Sequence, residues 1–81
     1  MNLNDTVKMM NSEDYKERFK AEYYQLEIRI DKLTSMLSAW CAGELTFSAT
    51  CPYDLLEAQL NSMKVYQHFL RERAALEGIE L

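Results

Sequence analysis

Basic side chains at helical spacing are the residues of this sequence best suited to chemistry, and the chemistry that they suit is the binding of phosphate. Arg18, Arg29 and Lys32 share one helical face with Glu22 and Gln25, since the five positions follow one another at spacings of 4, 3, 4 and 3 residues. The guanidinium of arginine presents a planar fork of donors that matches phosphate oxygens. This stripe predicts an anion-binding face, with an ordinary solvated face as the alternative.

A second basic cluster follows in the C-terminal third of the chain. Lys64, His68 and Arg71 are spaced 4 and 3 residues apart, and Arg73 lies close to the aromatic residues of the same stretch. Cations neutralise phosphate and aromatic rings stack on bases, so this combination suits a nucleotide. A solvated face is again the alternative, and His68, the only histidine, has an exposed or structural role as its alternative.

Tyrosine is frequent, with five in 81 residues. Tyr15 and Tyr24 fall outside the apolar seam of the first long helix described below, so we expect them to contact a ligand or a neighbouring chain. The predicted ligand-binding residues are Arg18, Tyr24, Arg29, Lys32, Lys64, His68, Arg71 and Arg73.

Neither metal binding nor catalysis is expected of the other polar residues. Cys41, Cys51 and His68 lack the close spacing of a zinc site, and a lone histidine with two unpatterned cysteines forms no nucleophilic dyad. The chain has no Gly-rich phosphate loop. We therefore expect a binding protein rather than an enzyme, without a metal or a cofactor.

The elements that must position these residues are predicted to be helices. The chain is 48% hydrophobic and 27% charged, and its two glycines and one proline are too few for the turns of an all-β fold. The net charge of −4 counts against binding along DNA or RNA. No basic start precedes an apolar run and no apolar stretch approaches ~18 residues, so we expect neither a signal peptide nor a membrane span. Two free thiols are typical of an intracellular protein.

The hydrophobic pattern predicts an all-α chain with an N-terminal arm or short helix at 1–11 and a helical hairpin domain at 12–81. The hairpin is predicted as a helix over 12–42, a linker over 43–51 and a helix over 52–77. The first helix carries an unbroken heptad seam of Phe19, Tyr23, Leu26, Ile30, Leu33, Leu37 and Trp40. The second carries a matching seam of Tyr53, Leu56, Leu60, Met63, Gln67, Leu70 and Ala74. The two seams predict an antiparallel pair.

A further apolar set lies beside the seam of the second helix. Its members are Leu55, Tyr66, Phe69 and Leu76. A hairpin partner covers only one stripe of a helix, so this set needs another chain to cover it. The sequence therefore predicts that the hairpin assembles into a homo-oligomer.

Several short motifs give the chain a resemblance to a known family. They are the Leu26-x3-Ile30-x-Lys32-Leu33 run, the Cys51-Pro52 helix opening, Gln59-x3-Met63-x2-Tyr66 and Leu70-x2-Arg73, and they cover roughly residues 13–81. In these motifs the chain resembles a small family of phage helical-hairpin proteins, which includes uncharacterised proteins of crAss-like phages. That family is similar to the hairpin domain of the anti-CBASS and anti-Thoeris sponges.

The resemblance implies a function. Those sponges bind cyclic oligonucleotides or cyclic ADP-ribose isomers made by bacterial immune systems, and they sequester the signal without cleaving it. They assemble as hexamers with ligand pockets at subunit interfaces. The resemblance thus implies a phage-encoded anti-defence sponge in the cytoplasm of the infected bacterial host. The alternative is a helical protein–protein interaction module, such as an adaptor, an anti-repressor or a direct inhibitor of a host protein.

Overall fold

The computed structural model describes all 81 residues and contains helices only. A 3-10 turn at Leu3–Thr6 leads into the short helix α1 (Val7–Met10), which is followed by the long helices α2 (Tyr15–Cys41) and α3 (Tyr53–Glu77). The two long helices pack against each other as a hairpin, so the predicted all-α class and hairpin arrangement are confirmed.

The start of α2 lies three residues beyond the predicted one. The side chain of Asp14 accepts a hydrogen bond from the backbone N–H of Lys16 at 3.0 Å and is the N-cap. Ser12 instead accepts from the backbone N–H of Asp14 at 3.0 Å, in a local turn of the kind that serine side chains stabilise. The chain therefore enters the helix only after this turn.

The hydrophobic core lies along the α2–α3 contact. Its buried members are Phe19, Tyr23, Leu26, Ile30, Leu37, Leu60, Leu70, Ala74 and Ile79, and most of the remaining seam residues are half-buried against them. Gln67 is buried in the same seam. Ile79, which lies beyond the predicted helix, joins the core because Gly78 turns the chain back with a φ of 69°.

The N-terminal segment covers a second face of α2. Thr6 is fully buried there, and its Oγ1 donates to the carbonyl of Leu3 at 2.7 Å while it accepts from Nε2 of Gln25 at 2.9 Å. Ala21 is also fully buried on α2. Both the 3-10 turn and α1 contact α2, so the N-terminal segment docks on this helix.

The molecule as a whole is elongated. It measures 43 × 24 × 17 Å and has a radius of gyration of 15.0 Å, against about 12 Å for a compact domain of this length. Only 12 of its residues are buried. None of the helices combines the length and the apolarity that crossing a membrane requires.

Candidate functional site

A groove with a volume of about 400 Å³ lies between α2, α3 and the N-terminal turn. We call it the cationic groove, and it is lined by Leu3, Arg29, Lys32, Leu33, Met36, Gln59 and Met63. Helix periodicity sets its α2 wall, because Arg29, Lys32 and Met36 are spaced 3 and 4 residues apart and therefore share a face. The seam residue Leu33 contributes to its floor.

The chemistry of the cationic groove suits an anion with a flat apolar part. Arg29 and Lys32 are exposed, and no carboxylate is among the lining residues. The amide of Gln59 offers both a donor and an acceptor. The thioethers of Met36 and Met63 are polarisable and adapt to the shape of an aromatic ring. The groove therefore combines charge neutralisation, polar readout and an apolar contact surface.

A larger groove of about 570 Å³ lies near the linker end of the hairpin. It is lined by Thr34, Leu37, Ser38, Cys41, Ala42, Tyr53, Glu57, Leu60, Asn61 and Lys64. The ammonium of Lys64 shares this lining with the carboxylate of Glu57, so the charge is balanced and gives no preference for an anion. The predicted ligand residue Lys64 is thus separated from Arg29 and Lys32.

Tyr53 and Cys41 join the two long helices at this larger groove. The Sγ of Cys41 lies 3.2 Å from the hydroxyl of Tyr53. That hydrogen bond, with smaller contributions from desolvation and from the nearby Glu57 carboxylate, raises the pKa of Tyr53 to about 12. The indole of Trp40 packs edge-on against the ring of Tyr53, with the two ring centroids 5.4 Å apart, and this contact orients the Tyr53 ring. These contacts link the C-terminal end of α2 to the start of α3.

Arg73 lies in a cluster at the other end of the hairpin. Its Nη2 donates to the hydroxyl of Tyr15 at 2.9 Å, and its Nε lies 3.6 Å from a carboxylate oxygen of Glu77. The Tyr15 hydroxyl in turn donates to Glu77 at 3.0 Å. The guanidinium also stacks over the ring of Phe19, 5.0 Å from its centroid. The hydrogen bond with Tyr15 is the largest influence on the pKa of Arg73 and raises it.

Two further tyrosines of the hairpin have polar partners on the facing helix. Arg71 donates from Nε to the hydroxyl of Tyr23 at 3.0 Å. Tyr66 donates its hydroxyl proton to a carboxylate oxygen of Glu22, and this bond raises the pKa of Tyr66. These contacts link α2 to α3 outside the apolar seam, so the residues involved help to align the hairpin.

The remaining predicted ligand residues have local partners. Arg18 donates from Nη1 to the backbone carbonyl of Ser12 at 2.8 Å and ties the turn before α2 to the helix. Tyr24 packs edge-on against Tyr23 at 5.6 Å beside the core. His68 is exposed, with Nε2 3.8 Å from a carboxylate oxygen of Glu72. Of the eight predicted residues, only Arg29 and Lys32 therefore share the cationic groove.

Five residues of the cationic groove were not among the predicted site residues, and one of them, Leu33, was predicted as part of the apolar seam of α2. Met36 continues the spacing of Arg29 and Lys32, so the helical pattern contained a signal for it. Gln59 and Met63 belong to one of the motifs that carry the family resemblance, but only the packing of α3 on α2 brings them beside the cations. Leu3 had no sequence signal, because nothing local shows where the N-terminal turn docks. No cluster of three or more His, Cys, Asp or Glu residues arranged to hold a metal ion occurs in the structure.

Comparison with known proteins gives one match. A family model described as Sequestin matches residues 13–76, which span the linker, all of α2 and all but the last residue of α3. The chain belongs to the Sequestin family. No curated protein and no solved structure matches it. The family name denotes sequestration of a ligand, which agrees with the sponge type that the resemblance implied, and the match includes six of the seven residues of the cationic groove.

Proposed function

We propose that this protein is a sponge that binds a cyclic nucleotide immune signal and holds it without cleaving it. The ligand is a cyclic oligonucleotide or a cyclic ADP-ribose isomer. Membership of the Sequestin family supports sequestration. The observation that carries the ligand class is the placement of Arg29 and Lys32 on one wall of a groove whose lining contains no carboxylate.

Each part of such a ligand has a counterpart in the cationic groove. The guanidinium of Arg29 and the ammonium of Lys32 neutralise phosphate oxygens through charge-assisted hydrogen bonds. The thioethers of Met36 and Met63 contact the face of a base. The amide of Gln59 pairs with polar atoms on the edge of the base. A volume of about 400 Å³ falls within the usual range of small-molecule sites.

The groove is open along one side, so a single chain leaves part of the ligand in water. Closure by a neighbouring chain would bury that part, and we propose a homo-oligomer with the ligand at subunit interfaces. A hexamer is the assembly that the resemblance implies. In the cytoplasm of a phage-infected bacterium, such an assembly lowers the concentration of the free immune signal by stoichiometric binding and so serves immune evasion.

Binding without turnover is also part of the proposal. The lining of the cationic groove provides cations, an amide and apolar side chains, but no histidine, carboxylate, cysteine, serine, threonine or tyrosine. Such a set supports retention of an intact ligand. Mass spectrometry of the ligand released on denaturation should therefore recover it uncleaved, and recovery of a hydrolysed product would make the protein an enzyme.

The binding test is calorimetry with cyclic dinucleotides, cyclic trinucleotides and cyclic ADP-ribose isomers. At least one of them should bind at micromolar concentration or below. Lys32→Ala and Arg29→Ala should each weaken binding by about 10- to 150-fold, since a hydrogen bond to a charged group contributes ~1.5–3 kcal/mol.

Lys20→Ala is the matched control for Lys32→Ala. Lys20 lies on the same helix with its ammonium 3.5 Å from Glu17, and it is not part of the groove, so its loss should leave affinity unchanged. Each variant must retain the helical spectrum and oligomeric mass of the wild type. Absence of binding for every compound, or equal losses in Lys20→Ala and Lys32→Ala, would contradict the proposal.

A protein–protein interaction module is the second candidate function. The observation that favours it is the exposure of Leu55, Phe69 and Leu76 on α3. A purified host protein that binds the chain tightly in the absence of any nucleotide, together with no calorimetric signal from the nucleotides, would favour this alternative.

A further inference from the structure

The N-terminal segment, which comprises the 3-10 turn and α1, forms one wall of the cationic groove. Its turn packs against α2 and not against α3, yet Leu3 of the turn lines the same groove as Gln59 and Met63 of α3. The turn and α3 therefore lie on opposite sides of the groove, with α2 between them. The Sequestin match begins at residue 13, so family membership assigns no role to this wall.

Thr6 anchors the N-terminal segment to α2. Its side chain is fully buried, and its Oγ1 accepts a hydrogen bond from Nε2 of Gln25 at 2.9 Å and donates to the carbonyl of Leu3 at 2.7 Å. The same amide nitrogen of Gln25 also donates to the Sδ of Met10. One hydroxyl thus joins α2 to the backbone of the residue that lines the groove.

The turn that carries Leu3 is closed by its own side chains. Oδ1 of Asn2 accepts from the backbone N–H of Asp5 at 3.1 Å, and a carboxylate oxygen of Asp5 accepts from the backbone N–H of Asn2 at 2.8 Å. These reciprocal bonds fix the backbone on both sides of Leu3. The carboxylate of Asp5 is not part of the groove lining, so this wall leaves the lining cationic.

A further contact fixes the direction of the segment along α2. Arg18 donates from Nη1 to the carbonyl of Ser12 at 2.8 Å, and Gln25, which binds Thr6, lies about two turns further along the helix. Arg29 follows one turn later. The segment therefore runs antiparallel to α2, and its first turn ends up at the level of the cations.

We infer that Leu3 contacts the base of the ligand on the face opposite Met63, and that the hydrogen bond between Thr6 and Gln25 positions Leu3 for this contact. The inference rests on the proposed function, because it concerns the same groove. Leu3 is only half-buried, so part of its side chain is free to meet a ligand. An isobutyl group suits a base and not a phosphate, and a flat base between two apolar walls is removed from water on both faces.

This inference gives Gln25 a role that differs from those of its neighbours on the same helical face. Arg29 and Lys32 have exposed side chains that are free to bind phosphate. The amide nitrogen of Gln25 is already bound to Thr6 and Met10. Gln25 and Thr6 are therefore positioning residues, which act on the ligand through Leu3.

The contact is tested by calorimetry with cyclic di-AMP, cyclic tri-AMP and cyclic ADP-ribose. Leu3→Ala should weaken the binding of the tightest of these probes by about 5- to 20-fold, because it removes apolar contact area. Leu3→Met should restore most of the affinity, since methionine is similar in size and adapts to a ring. Val7→Ala is the matched control, because Val7 lies on the same segment at 47% exposure and outside the groove, and it should bind as the wild type does.

The positioning role is tested with Thr6→Val, which keeps the shape of the side chain and removes its hydroxyl. In the absence of any probe, this change should speed the hydrogen exchange of backbone amides in the N-terminal segment, as measured by mass spectrometry. Affinity for the probe should fall by about 3-fold or more, in proportion to the fraction of molecules whose segment has left α2. Thr6→Ser should restore both properties. A purely structural role would change the exchange and leave the affinity unchanged.

Several results would overturn the inference. They are an unchanged affinity of Leu3→Ala, an equal loss in Val7→Ala, unchanged exchange in Thr6→Val, faster exchange in Thr6→Val without loss of affinity, and no recovery in Thr6→Ser. If Lys32→Ala still weakens binding in any of these cases, the proposed function is unaffected. If none of the three probes binds the wild type, the proposed ligand class is wrong for these compounds and the role of Leu3 is wrong with it.

Discussion

At the scale of single residues, several polar side chains on the two long helices form hydrogen bonds across the hairpin. Arg71 and Arg73 are two positions apart in the sequence, but one bonds Tyr23 and the other bonds Tyr15. Both tyrosines lie more than forty residues away along the chain. Spacing along α3 therefore indicated which face each arginine occupies, but could not indicate the group that it meets.

The raised pKa of Tyr53 leads to a prediction about alkaline pH. Ultraviolet absorbance of tyrosinate should show a titration step near pH 12 that is missing in Tyr53→Phe. Cys41→Ala removes the largest cause of the shift and should move that step to lower pH. An identical step in the wild type and in Cys41→Ala would contradict the assignment.

The same group makes stability depend on pH with a defined sign. The folded pKa of Tyr53 lies above its ordinary value near 10. Its contribution to the free energy of unfolding is therefore complete below about pH 10 and is lost as the pH rises through the folded value of about 12.

At the scale of elements, the ends of the helices depend on a few local groups. Gly78 ends α3 with a left-handed backbone at a φ of 69°, and the backbone N–H of Ile79 then donates to the carbonyl of Ala74 at 2.9 Å. This ending brings Ile79 into the core. Gly78 therefore ends α3 and also allows Ile79 to pack in the hairpin core.

Gly78→Ala should lower the free energy of unfolding by about 1–2 kcal/mol, because a side chain strains the left-handed backbone. Nothing lies within 4 Å of the place that a new Cβ would occupy, so the loss reports on the backbone and not on a clash. Urea denaturation measures it. Gly78→Asn is the control and should lose less, since asparagine tolerates this conformation; equal losses in the two variants would contradict the explanation.

At the scale of the whole molecule, the hairpin has a small core and a large surface. Twelve buried residues and a long, narrow shape give a single chain little buried apolar surface to stabilise it. The proposed binding of a ligand would add to that stability by mass action.

The cognate nucleotide should therefore raise the temperature of unfolding. At a free ligand concentration 100 times the dissociation constant, the added stability is about 2.7 kcal/mol. Lys32→Ala should lose most of this shift at the same ligand concentration, whereas Lys20→Ala should retain it. Differential scanning calorimetry measures the shift, and an equal shift in both variants would place the ligand outside the cationic groove.

The sequence by itself determined the parts of this protein that depend on local periodicity. The apolar seams of α2 and α3 predicted the residues that form the hairpin core, and the scarcity of Gly and Pro predicted an all-helical chain. Helical spacing also placed Arg29 and Lys32 on one face. These features follow from the geometry of a single helix, so no knowledge of a facing element was needed.

The tertiary structure decided which residues meet. The register of α3 on α2 brings Gln59 and Met63 to the cations, and the docked N-terminal turn adds Leu3. The same register brings Arg73 to Tyr15, and it places Lys64 in the lining of the larger groove, away from Arg29 and Lys32. Helical period defines faces but not the distance between chain segments remote in sequence, because that distance follows from the packing of whole side chains across the seam.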